Sequence, residues 1–184
     1  MSVSIERLQA LLRLEGNGLA WIVSKGKARA GATAGCRKHG RYLQVGVEGK
    51  QYLVHRVVWA IAYGSWPDGD LDHINGDTAD NRLENLRVAT RSQNQWNKRA
   101  SKSSKTGIKG VRMIHNGRFR AQIQAKGVEL HLGYFDSAEA AGKAYDRAAK
   151  RLHGEFASAT DNDVKLRDVA PLRDQRLADE ARAA

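Results

Sequence analysis

Between Leu71 and Lys98 the sequence LDHINGDTADNRLENLRVATRSQNQWNK leaves little freedom to the fold. Leu71-Asp72-His73-Ile74 is a short run closed at both ends by apolar residues, which predicts a strand, and the Asn75-Gly76 behind it is a turn pair. Asp80 to Asn85 predicts a loop and Leu86-Arg87-Val88-Ala89 a second strand. Thr90 and Gln93 then stand at capping-box spacing, which predicts a helix over about 91–99. Strand, loop, strand and helix carry Asp72, His73, Asn85 and Asn94 into one small unit. A carboxylate and an amide oxygen are donors that hard divalent cations prefer, and an adjacent imidazole takes a proton from water near neutral pH. That combination suits hydrolysis of a phosphodiester, in a ββα-metal arrangement. A calcium loop of the EF-hand type is excluded, because Gly76 does not fall five positions after Asp70 or Asp72.

Charge narrows the substrate. The chain has a formal net charge of +11, unevenly spread. Seven Lys or Arg lie between Ser101 and His131 against the one acid Glu129, whereas the stretch from Asp161 onward has five bases and six acids. Concentrated positive charge attracts a polyanion, so the metal-and-imidazole set points to an enzyme that cuts DNA. The single Cys36 excludes an intramolecular disulfide and a cysteine-based zinc cluster. No apolar run has the length of a membrane span. The start MSVSIERLQALLRLE includes Glu6 and Glu15 and reads as a short amphipathic helix, unlike a secretory leader, so the expected compartment is the cytoplasm.

Upstream of the central stretch, Gly16-Asn17-Gly18 breaks that helix, and Leu19 to Val23 predicts a strand. Residues 25–40 have little to bury and predict a loop or irregular hairpin. Arg41 to Val47 and Gln51 to Val54 flank the turn Glu48-Gly49-Lys50 as a hairpin. HRVVWAIAY, His55 to Tyr63, is apolar on almost every face and stops at Gly64, the pattern of a buried helix, with His55 as a structural hydrogen-bonding residue.

Downstream, residues 100–107 are polar and basic and predict a linker. Three strands follow, Ile108 to Ile114, Arg118 to Ala125 and Val128 to Tyr134, and then a helix capped by Asp136 or Ser137 that runs to His153 and stops at Gly154. Ala141, Ala144, Tyr145, Ala148 and Leu152 form its apolar stripe. Alternation in RFRAQIQ places Phe119, Ala121 and Ile123 on the helix and Arg118, Arg120, Gln122 and Gln124 outside. Leu130 and Leu132 likewise face in, Glu129 and His131 out, and Gly110 and Arg112 share the outer face if Val111 and Met113 pack inward. Arg and Gln match guanine and adenine edges, and a sheet can enter the major groove. Gly133 to Asp136 read as core and cap residues, and the absence of stacking aromatics outside speaks against RNA. The fold class is α+β: an N-terminal ββα-metal nuclease domain (1–99, core about 70–99), a linker (100–107), a three-stranded antiparallel sheet packed on one helix (108–158), and a tail (159–184) that admits a further amphipathic helix.

DHINGD at 72–77, Asn81, Glu84-Asn85-Leu86-Arg87 and Thr90 to Asn94 resemble the HNH homing endonucleases of phages and introns. The likeness covers nearly all of residues 1–99 and takes in VHRVVW, with His55 and Arg56. It implies His73 as the general base, Asp72 as a metal ligand, Asn85 as the residue that orients the histidine and pins the loop, and Asn94 as the second ligand. This H-N-N variant would hold one Mg2+ or Mn2+ per active site. Residues 107–157 resemble the Apetala-two, or ethylene-response-factor, DNA-binding domain, which implies Lys109, Arg112, Gln122, Gln124 and His131 as contacts to double-stranded DNA. The alternation adds Arg118 and Arg120. Gln122, Gln124 and His131 stand where the plant pattern has an acid, an arginine and a tryptophan, so the plant target is not carried over. The two resemblances imply a metal-dependent, site-preferring endonuclease, a monomer or homodimer, in a bacterial cytoplasm if phage-encoded. The alternative is a DNA-binding transcriptional regulator with an inactive nuclease domain, disfavoured by the complete Asp72, His73, Asn85 and Asn94 set.

Overall fold

The computed structural model describes residues 3–24, 26–37, 40–101 and 103–157; the tail expected at 159–184 lies outside the described residues. The chain divides into two units, Met1–Asn97 and Lys98–Ala184.

In the first unit, α1 (Ile5–Leu11) starts at Ser4, whose hydroxyl accepts from the Arg7 N–H. The helix does not continue to Glu15. From Leu12 the chain is extended, and β1 (Leu12–Glu15) pairs antiparallel with β2 (Gly18–Trp21) across a turn at Gly16, which takes φ +52°. The switch lets Leu8, Leu12 and Leu19 enter one core, with tertiary burial overriding the local helical pattern. A second hairpin, β3 (Gln44–Val47) and β4 (Lys50–Leu53), feeds directly into α2 (Val54–Tyr63), and Gly64 ends that helix in the left-handed region. Val45, Val47, Val54, Val57 and Val58 complete the core.

The central stretch follows as β5 (Asp70–His73), a 3-10 turn at Leu83–Asn85, β6 (Leu86–Ala89) and α3 (Arg91–Trp96). The strands run antiparallel with Asp72 opposite Arg87 and His73 opposite Leu86. Leu86 belongs to the hydrophobic core, which roots β6 there. The capping box is present in both directions: the Gln93 N–H donates to the Thr90 hydroxyl (3.2 Å), and the Thr90 N–H to Gln93 Oε1 (2.7 Å). α3 ends at Trp96, short of the expected Arg99, with Asn97 as its C-cap.

The second unit holds a sheet in the order β7 (Val111–Met113), β8 (Phe119–Ala125), β9 (Val128–Phe135), antiparallel throughout, with α4 (Ala138–His153) packed on it. Val111, Ala121 and Phe135 are buried with Ala141 and Ala144, and Ile123 with Tyr145 and Ala149. The Tyr145 hydroxyl is pushed up to about 12 by burial and then by the Asp146 charge. A register shift between Ala121 and Gln122, opposite Gly133 and His131, leaves Leu132 unpaired on β9 and turns Tyr134 to the outer face. Gly110, at φ +70°, faces the Tyr145 ring and the Gln122 carbonyl, not the outer face; a Cβ there would overlap both. Met113 and Leu130 are exposed where inward packing was expected. Tyr134 is 49% exposed, opposite Arg120, and its ring lies 4.6 Å from that of His131. The outer face therefore carries an aromatic pair, and its expected lack no longer argues against RNA.

Among the described residues no helix is long and apolar enough to cross a membrane.

Candidate active site

β5 ends in Asp72 and His73, both buried, and three surrounding segments hold them. Antiparallel register sets Arg87 on β6 directly across from Asp72, where its Nε and Nη2 donate to Asp72 Oδ2 at 3.0 and 2.8 Å. Asn97, at the end of α3, donates through Nδ2 to the same carboxylate, at 2.9 Å from Oδ2 and 3.1 Å from Oδ1. Among the described residues Oδ2 thus accepts three contacts and Oδ1 one.

His73 Nε2 lies 3.1 Å from Asn81 Oδ1. The Asn81 Nδ2 donates to the Ala79 carbonyl at 3.2 Å, which orients the amide with its oxygen toward the ring. An amide oxygen only accepts, so Nε2 carries the hydrogen and Nδ1 is left as the nitrogen able to receive a proton.

The expected role of Asn85 divides. Its side chain pins the loop: Oδ1 accepts from the Asn75 N–H (3.0 Å), and Nδ2 donates to Asn75 Oδ1 (3.1 Å) and the Asp80 carbonyl (2.7 Å). It does not touch the imidazole; Asn81 does. Asp80 closes the loop on Arg82, and that hydrogen-bonded pairing lowers the Asp80 carboxyl to about 2. Asn94 sits one turn into α3, half-buried, and among the described residues its amide has no hydrogen-bond partner.

Two rings stand beside His73. The Tyr42 ring stacks at 6.0 Å between centroids, and the His55 ring meets His73 edge-on at 5.1 Å. His55 was expected to hydrogen-bond. Instead its Nδ1 is buried without a partner, and burial, then the neighbouring His73 and Arg56, lower it to about 3, so it is neutral at physiological pH. Arg56, the next residue, donates to the Gly69 and Pro67 carbonyls at 3.0 and 3.2 Å and ties α2 to the turn leading into β5.

The donor chemistry fits a hard divalent cation: Asp72 Oδ1 keeps accepting capacity, and the Asn94 amide oxygen is uncommitted. Among the described residues no three His, Cys, Asp or Glu side chains converge as a metal cluster.

In the second unit, Arg112 lies opposite Arg120, and Gln122 opposite His131, while Gln124 pairs with Glu129. Glu129 accepts from Arg120 Nη2 (3.3 Å) and Gln122 Nε2 (2.8 Å) on that face. Arg118 is drawn elsewhere, donating to Asp136 Oδ1 (3.0 Å) and the Tyr134 carbonyl (3.3 Å). Lys109, Arg112 and Gln122 line a cleft of about 580 Å³ together with Arg99, Lys105 and Thr106. Burial, then the Lys98 charge, lowers the Lys109 ammonium to about 8.

Comparison with known proteins decides what the first constellation belongs to. Residues 52–96 match the family model described as HNH endonuclease. Protein 3.8 of Escherichia phage T7 is 34% identical over 105 residues, 56% of this chain and 86% of that protein. The chain carries an HNH endonuclease domain. An uncharacterized HNH endonuclease, L560, of Acanthamoeba polyphaga mimivirus is 35% identical over 112 residues, 60% of this chain and 57% of that protein, so the chain spans little more than half of it. No solved structure matches the chain. HNH nuclease domains act on DNA and generally use divalent metal ions, and the HNH match here contains Asp72, His73, Asn85 and Asn94.

Three residues of this HNH site were not assigned from sequence. Arg87 was legible in principle, since strand register follows from burying Leu71 and Leu86. Asn81 and Asn97 were not, because no periodicity distinguishes a buried asparagine from one that caps a turn.

Proposed function

We propose that the protein is a metal-dependent, site-preferring DNA endonuclease of the homing type, with a catalytic domain at 1–99, a linker at 100–107 and an Apetala-two-type DNA-reading domain at 108–158. The observation that carries the proposal is His73, held through Nε2 by Asn81 and adjacent to Asp72, inside the segment that matches the HNH family.

Asp72 and Asn94 would hold one Mg2+ or Mn2+, through Oδ1 and the amide oxygen respectively. When bound, the ion supplies neutralisation of charge developing on the phosphate and its leaving oxygen. His73 Nδ1 takes the proton from the attacking water, with its tautomer fixed by Asn81. Asn85 keeps the 75–80 loop in place, which in turn presents Asn81 to the imidazole. Arg87 balances the Asp72 charge through Oδ2, and Oδ1, which accepts from Asn97, keeps a lone pair for the ion.

For site preference, Arg112, Arg120, Gln122, Gln124 and His131 present guanidinium, amide and imidazole groups on one sheet face, with Lys109 and Arg118 at its margin. Tethering a reading domain to a cutting domain raises the local concentration of the latter at chosen sites. The partner is double-stranded DNA, and the active form is a monomer or homodimer.

Cleavage of supercoiled plasmid, with Mg2+ and with EDTA, tests the reading. Open-circle or linear product from the wild type with Mg2+ alone is expected. Tight duplex binding without conversion under any divalent metal would overturn it.

A further inference from the structure

Asn97 lies one residue past α3 and just beyond the stretch that matches the family. It is 6% exposed. Its Nδ2 is the meeting point of four oxygens: Asp72 Oδ2 (2.9 Å) and Oδ1 (3.1 Å), the His73 carbonyl (2.8 Å) and the Ile74 carbonyl (3.4 Å). Its backbone N–H closes the last turn of α3 on the Gln93 carbonyl at 3.1 Å.

One side chain therefore joins the end of the helix that carries Asn94 to the end of the strand that carries Asp72. The joint matters because α3 has six residues, none of them buried. A helix that short has no stability of its own in water and takes its position from tertiary contacts. Asn97 supplies such a contact and is itself a buried polar group whose hydrogens are committed to this carboxylate and these carbonyls. It is also neutral, so it orients the Asp72 carboxylate without cancelling the negative charge a cation needs. Arg87 and Asn97 together load Oδ2, and Oδ1, which among the described residues accepts from Asn97 alone, keeps a lone pair for a further partner.

We propose that Asn97 is a positioning residue of the metal centre, setting both the rotation of the Asp72 carboxylate and the span from Asp72 to Asn94. The proposal rests on the reading of Asp72 and Asn94 as the ion-holding pair. Mg2+ and Mn2+ at such sites demand near-octahedral oxygen geometry, so a small splay between helix and strand costs affinity before it costs the fold.

The test is Mn2+ binding followed by electron paramagnetic resonance on the full chain in a His73→Ala background, with a short DNA duplex that then stays uncut. Asn97→Ala removes the amide, Asn97→Ser keeps a shorter donor, and Asp72→Ala serves as the reference for loss of the site. Thermal melting and tryptophan fluorescence report the fold of each variant. Outer residues that orient a metal ligand typically change affinity by about 10- to 100-fold, and a loss of that size in folded Asn97→Ala, with a smaller one in Asn97→Ser, is expected. If Asn97→Ala does not fold, Asn97→Ser decides by the same measure. Affinity within about twofold of the parent in the folded variants would refute the positioning role. A parent protein whose Mn2+ signal is indifferent to Asp72→Ala would instead bring down the metal-centre reading, and Asn97 with it.

Discussion

Replacing His55 by phenylalanine should flatten the acid side of the first unit's stability curve. His55 is 4% exposed, and in the folded chain its imidazole is lowered from 6.5 to about 3, by burial first and then by His73 and Arg56. In the unfolded chain it titrates near the ordinary value of about 6.5. The folded-state value is the lower one, so the unfolded chain binds the extra proton between these limits. The stability associated with a neutral His55 is complete above pH 6.5 and is lost as the pH falls toward 3. Each pH unit in that window costs about 1.4 kcal/mol once the unfolded imidazole is protonated, so the step from pH 7 to pH 5 amounts to about 2 kcal/mol. Asp80, also lowered, contributes only below its ordinary 3.8, outside the interval compared. Urea unfolding followed by tryptophan fluorescence is the assay, because Trp21, Trp59, Trp66 and Trp96 all lie in the first unit. Phenylalanine fills the ring space and removes the buried Nδ1, which has no hydrogen-bond partner to lose. The expected result is that the pH 7 to pH 5 loss in the wild type exceeds that in His55→Phe by about 2 kcal/mol. Equal losses in the two proteins would refute the reasoning and mean that water reaches the His55 ring.

Further outcomes follow from other parts of the chain. His73→Ala should lower the rate of metal-dependent plasmid cleavage by about 100- to 10,000-fold while gel-shift affinity for duplex stays near the wild-type value; a comparable loss of binding would argue against a base at this position. Arg120→Ala and Gln124→Ala should weaken site preference in footprinting and spare metal-dependent cutting, and unchanged footprints would count against that sheet face as the reader. Gly110→Ala should destabilise the second unit, because the left-handed backbone and the Tyr145 ring leave no room for a Cβ, and circular-dichroism melting of the variant checks it. Leu8→Ala, in the fully buried core of the first unit, should cost about 2–5 kcal/mol in urea unfolding.

The β5–β6–α3 stretch was legible because its signals are local and agree with one another. Short apolar runs bounded by the Asn75-Gly76 turn and the loop before Leu86 mark the strands, and Thr90 and Gln93 mark the helix start with a motif that works within four residues. The helix α2 and its Gly64 stop were legible for the same reason. The α1 helix was overextended because LLRLE satisfies helical spacing as well as strand alternation, and only pairing with β2 settles which wins. In the second unit, period two failed on β9, where the register shift leaves Leu132 unpaired and turns Tyr134 outward, and Gly110 went inward through a left-handed backbone that alternation does not signal.

By itself the sequence determined the chemistry available at the site: a carboxylate, an imidazole and the asparagines Asn85 and Asn94 at spacings that place them at the ends of neighbouring elements. Only the tertiary structure decided which asparagine does what. Asn81 reaches the imidazole, Asn85 ties the loop, and Asn97 grips the carboxylate. All are short amides with the same donors and acceptors, so their roles are set by which partner packing brings within about 3 Å, a property of the fold that no local pattern encodes.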